Sequence, residues 1–259
     1  MSTFNMTRFG KILRWSLWHD KPVISKIVLQ TVATLSFIVL FFLLVDGNKE
    51  SVFSMHFGAF AAIEVCSILF MGTYLYYGMK TQSDWQQLMM LPASNLEKFL
   101  ARYAVALVIA LGMILSVFVA DVVQYVATMI IRPGAARLMV GHVTSTLYQN
   151  VFSHNEPGPI LFLLGLFAYI HSLYLLGASF VRSRKHAWIV TTVFIIIIGS
   201  GIGYIISKLM PYDVDITIDL IHVVGYTVIA VIWALSIFNI WLSYRLFARR
   251  QLIGRFINC

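Results

Sequence analysis

Three ionisable side chains, Glu64, Asp121 and His171, stand inside long apolar runs of this 259-residue sequence. A charge at the centre of a bilayer costs about 2.5–3.5 kcal/mol on insertion scales, so such groups are candidates to line a substrate translocation path. The alternative is a structural network in which they satisfy one another, or a Glu64 that stays protonated. Glu64 with His171 is the one pair that offers acid–base chemistry at depth. No familiar enzyme template accompanies it: there is no HExxH, no GxSxG and no pair of carboxylates on one run. The seven histidines (His19, His56, His142, His154, His171, His186 and His222) show no metal-ligand spacing, and Cys66 and Cys259 form no CxxC.

A second kind of chemistry, partner docking, is written into Ser83-Asp84-Trp85-Gln86-Gln87-Leu88-Met89-Met90-Leu91-Pro92-Ala93-Ser94-Asn95-Leu96-Glu97-Lys98. Ser83 with Gln86, and Ser94 with Glu97, read as capping boxes. Pro92 ends the first helix because it disfavours helical backbone at Leu91. The expectation is a two-turn helix, a sharp corner and a new helix. The short helix would show Trp85, Leu88 and Met89 on one face, an apolar knob fit for a partner's groove or for the lipid surface.

The elements that must hold these residues follow from hydropathy. The sequence is 59% hydrophobic and 12% charged, with mean hydropathy +0.83. Soluble domains run near 45–50% apolar and about 25% charged, so lipid is the expected solvent. Six apolar runs can cross about 30 Å of hydrocarbon: Ile27–Val45, Phe57–Tyr76, Phe99–Gln124, Ile160–Val181, Ala187–Ile206 and Leu220–Leu242. The third run can continue as helix to Ile131. The first is expected to be a retained span, since no small-residue cleavage site follows it.

Orientation follows from the basic residues. With the N-terminus inside, the outer segments hold only Lys49, Arg132, Arg137 and Lys208 of the 19. Hence the expectation is an all-α integral membrane protein with six transmembrane helices, N-in and C-in, forming one domain over residues 1–259. The net charge of +8 then reads as attraction to membrane lipid headgroups, not as nucleic-acid binding. The stretch Phe9–Trp18 places Phe9, Ile12, Leu13, Ser16 and Leu17 on one face, with Arg8, Lys11 and Arg14 around it. It reads as an amphipathic interfacial helix in the headgroup plane, open also to a cytoplasmic partner. Tyr74, Tyr76, Tyr77, Trp241 and Tyr244 read as interface aromatics. Gly199-Ser200-Gly201-Ile202-Gly203 lacks a following Lys and reads as helix packing or a local break.

The stretch Trp85–Arg102, above all Met90-Leu91-Pro92-Ala93-Ser94 with Glu97-Lys98, resembles the segment after the second span of ABC-2 type permeases, the membrane subunits of bacterial ABC transporters. The six spans, the N-terminal helix and the basic turn Arg182-Ser183-Arg184-Lys185-His186 are similar in outline. The resemblance implies a coupling helix, with Asp84, Trp85, Gln86, Gln87, Leu88, Met89, Met90 and Leu91 seated in a separate ATPase subunit and Pro92, Ala93 and Ser94 holding the corner. It also implies a multi-pass subunit of the bacterial cytoplasmic (inner) membrane, an exporter paired with a second permease subunit. ATP and Mg would be bound by the partner ATPase, with no cofactor on this chain. The sequence has no G-x-x-x-x-G-K-[ST] loop, and residues 207–219 are short for the re-entrant helices many members carry. A non-transporting scaffold or sensor, and an intramembrane enzyme built on Glu64 and His171, are the other readings.

Overall fold

The computed structural model describes residues 4–45, 65–66, 69, 71–76, 78–79, 82–131, 138, 140–141, 145, 157–180, 187–209 and 218–256. Glu64, the turn 182–186 and most of the segment 132–156 lie outside these residues. In chain order come α1 (Met6–Val45), a 3-10 helix (Met71–Tyr76), α2 (Gln82–Met90), α3 (Asn95–Ile131), α4 (Pro157–Phe180), α5 (Ala187–Leu209) and α6 (Ile218–Phe256). No strand occurs among the described residues.

Among the described residues four stretches are long and apolar enough to cross a bilayer: Met6–Phe41, Asn95–Ile131, Gly158–Phe180 and Val224–Arg249. Large apolar side chains cover their outer faces, among them Leu29, Phe37, Leu111, Leu115, Leu163 and Phe238. Lipid, unlike water, imposes no cost on such surface. The chain is a multi-pass membrane protein.

The fold resolves into two compact units. In the unit made of Met6–Met71 and Ala101–Asn155, α1 and α3 run parallel. Asp20 meets Arg102, Val28 meets Gly112, and Leu35 and Val39 share a core with Val117 and Ala120. A Cβ at Gly112 would collide with the Val28 side chain, so glycine is what lets the helices approach here.

The 40 residues of α1 make a rod about 60 Å long, twice the hydrocarbon thickness. The N-terminal stretch is therefore not a separate helix lying in the headgroup plane. It continues into the first span, and of the face read as lipid-bound Ile12 and Ser16 are buried while Phe9, Leu13 and Leu17 are half-buried; further along the helix Asp20 and Ile27 are buried too. Pro22 sits inside this helix and cannot donate to the Trp18 carbonyl. Near it, the Ser25 hydroxyl donates to the carbonyls of Lys21 and Pro22. The third run does continue to Ile131.

The other unit contains Gly72–Leu100 and Glu156–Cys259. Here α4 and α6 run parallel: Gly165 meets Trp233, Ser172 meets Asn239 and Ser179 meets Ser243. α5 folds back along α4, since Gly177 touches Thr191 and the Tyr174 and Thr192 hydroxyls lie 2.9 Å apart. α5 continues unbroken through Gly199–Gly203, and among the described residues no atom lies within 4 Å of a Cβ placed at Gly199 or Gly201. The local break does not occur, and among the described residues no close packing contact is made at those two glycines.

Candidate functional site

The site is built on the corner between α2 and α3. α2 runs from Gln82 to Met90, with Ser83 in its first turn. Its burial pattern has the period of a helix: Trp85 and Leu88 are buried, while Ser83, Gln86, Gln87 and Met90 are exposed. Trp85 lies 5.5 Å from the Tyr76 ring and 6.2 Å from Phe247, and Phe99 meets Phe247 edge-on at 5.6 Å. Four aromatic rings from the 3-10 helix, α2, α3 and α6 thus form one cluster, and each such pair contributes about 0.5–1.5 kcal/mol beyond its buried area.

The apolar knob is consequently turned into this unit. Met89, Asp84 and Leu91 are half-buried, Ala93 and Ser94 likewise, and Pro92 is exposed. Among the described side chains, α2 offers Ser83, Gln86, Gln87 and Met90 outward. Tyr76, expected among interface aromatics, is 2% exposed, and its hydroxyl pairs with Ser179 at 3.0 Å. Trp241 is exposed and Tyr244 half-buried.

The corner is tied on both sides. Ser94 N–H donates to Glu97 Oε2 at 2.9 Å, and Glu97 N–H donates to Ser94 Oγ at 3.3 Å. This is the capping box read from the sequence. Glu97 Oε1 also accepts Asn5 N–H at 2.7 Å, so a fully buried carboxylate holds two backbone donors at the positive end of α3. Lys98 Nζ donates to the Met89 carbonyl at 2.9 Å. Met89 is in the last turn of α2, where carbonyls have no partner within the helix. Adjacent residues therefore each fasten one helix, Glu97 the start of α3 and Lys98 the end of α2. Between them the chain turns through Leu91-Pro92-Ala93, with Ala93 N–H on the Leu91 carbonyl at 2.8 Å.

Of the three intramembrane candidates, the structure describes Asp121 and His171, one in each compact unit. Asp121 is buried on α3, and its Oδ2 accepts the backbone N–H of Val140 at 3.1 Å. It ties Val140 to α3. His171 is buried on α4 beside Ser172 and belongs to the other unit. Glu64 lies outside the described residues. Among the described residues no three His, Cys, Asp or Glu side chains gather in a way that could hold a metal ion.

Two arrangements escaped the sequence reading. One is the Asp20–Arg102 ion pair; its signal is that Asp20 is the lone acidic residue in the first 45 and lies on the apolar stripe of a basic helix. The other is a polar seam between α4 and α6. Asn239 Nδ2 donates to Ser172 Oγ at 3.1 Å, the Ser179 and Ser243 hydroxyls meet at 2.6 Å, and the Leu175 carbonyl accepts from Ser243 at 3.2 Å. Its signal is small polar residues at helical spacing within apolar runs. Compared with family models, curated proteins and solved structures, the chain matches none.

Proposed function

We propose that this chain is the permease subunit of an ATP-driven ABC transporter, an exporter, working with a separate ATPase subunit and a second permease subunit in the bacterial cytoplasmic membrane. The observation that carries this reading is α2. It is a short helix pinned from beneath by Trp85 and Leu88, with Gln86, Gln87 and Met90 outward, joined to a membrane-length helix by a corner hydrogen-bonded on both sides. Displacing such a helix moves α3 with it, because Glu97 and Lys98 leave the corner little freedom to flex. In operation, ATP binding on the partner would close the ATPase pair and shift α2, and the spans would tilt between inward-open and outward-open states.

The six-span arrangement is supported by helix direction. Two parallel spans joined by one chain require a return crossing between them. α5 supplies it for α4 and α6. For α1 and α3 the apolar run Phe57–Tyr76 is the stretch with the length to do so. The basic residues then orient both termini inward.

Isolation of the tagged chain from its native host in mild detergent tests the reading. A stoichiometric ATPase subunit in the eluate is the expected result. A chain that elutes alone, under conditions that keep known transporters intact, argues for a scaffold.

A further inference from the structure

The exposed face of α6 changes character along one line. Val231, Leu235 and Phe238 are exposed apolar residues, and Arg245 and Arg249 continue the same face at helical spacing. Trp241 flanks that line, and the Arg245 guanidinium lies over its ring at 4.7 Å. A stacked guanidinium keeps its N–H edge directed outward, and its planar fork matches phosphate geometry. From residue 220 onward the sequence holds Arg245, Arg249, Arg250 and Arg255 and no Asp or Glu. Among the described residues neither Arg245 nor Arg249 makes an ion pair.

We infer that Trp241, Arg245 and Arg249 form a binding site for the headgroup of an anionic phospholipid. The apolar residues below take the acyl chains, the indole sits at the interface, and the two guanidinium groups receive the phosphodiester. A site of this composition suits a lipid better than a soluble acidic protein, because its apolar half continues without a break into the hydrocarbon-facing surface. The inference stands independently of the transporter reading.

The test is binding of phosphatidylglycerol to the purified full-length chain in nonionic detergent, followed by native mass spectrometry and thermal stability. Phosphatidylcholine and inorganic phosphate serve as comparison ligands. R245Q/R249Q is expected to lower apparent phosphatidylglycerol affinity about fivefold per arginine, the change that ~1 kcal/mol of surface attraction per cation represents. K11Q/R14Q removes the same charge from exposed positions on α1 and is expected to change affinity less than twofold. Monodisperse elution of both variants checks the fold. Unchanged affinity in R245Q/R249Q, an equal loss in K11Q/R14Q, or stabilisation by inorganic phosphate equal to that by phosphatidylglycerol would each overturn the site.

Discussion

Arg102 Nη1 donates to Asp20 Oδ2 at 2.5 Å across 82 positions of sequence, with the side chains only 1% and 2% exposed. The pair binds the part of α1 that precedes the first apolar run to the start of the third. Removing one partner leaves a buried charge uncompensated, which costs about 3–5 kcal/mol, whereas replacing both with apolar residues is often neutral. Asp20→Ala and Arg102→Ala should each destabilise the chain by that amount in detergent unfolding, and D20L/R102M should recover most of it. Equal losses in the double and single variants would show that the pair itself, and not the orphaned charge, matters.

The Glu97 carboxylate serves two backbone donors, and a glutamine can still serve as the third residue of a capping box. Glu97→Ala should therefore cost about 1–3 kcal/mol through the loss of both charge-assisted hydrogen bonds, and Glu97→Gln less, because its single amide oxygen can keep one of the two donors. Hydrogen exchange at Asn5 and Ser94 reads this locally. Faster exchange at both amides is expected in the alanine variant, and at one of them in the glutamine variant.

The seam between α4 and α6 consists of weak bonds in series. Asn239→Leu should cost about 0.6 kcal/mol and no more than about 1.7, the range found for interhelical hydrogen bonds in membranes. Gly177→Ala should cost more, because the added Cβ would strike the Thr191 side chain and overpacking costs about 1–3 kcal/mol. A steric origin is checked by T191A, which should relieve part of the Gly177→Ala loss in thermal unfolding.

Local signals were legible and directions of burial were not. The Ser94–Glu97 box, the stop at Pro92 and the continuation of α3 to Ile131 depend on neighbours a few residues apart, and the structure has all three. The Trp85–Leu88 face was recognised as apolar, but which surface covers it depends on Tyr76 and Phe247, far away in sequence. The same holds for the N-terminal helix. Its amphipathic pattern is equally suited to lipid or to a neighbouring helix, and Arg102 decides the matter. Of the three intramembrane candidates, Asp121 and His171 fall in different units.

Topology is open to direct labelling. In a background with Cys66 and Cys259 replaced by serine, K49C and K208C should react with a membrane-impermeant maleimide on intact cells. Q87C and R249C should react only after permeabilisation. Labelling of Q87C on intact cells would put α2 on the outer side and remove any role in coupling to a cytoplasmic ATPase.

The most direct measurement is the amount of ATPase retained by variants of the outward face of α2. Gln86, Gln87 and Met90 are exposed, so Q86E, Q87E and M90E should leave the fold intact, as elution and thermal stability can verify. If α2 is the coupling helix, the triple variant loses most of the co-purifying ATPase, while K11E/R14E, altered on the exposed side of α1, keeps it. Full retention of the ATPase by the folded triple variant, or its absence from the wild-type eluate, would contradict the account.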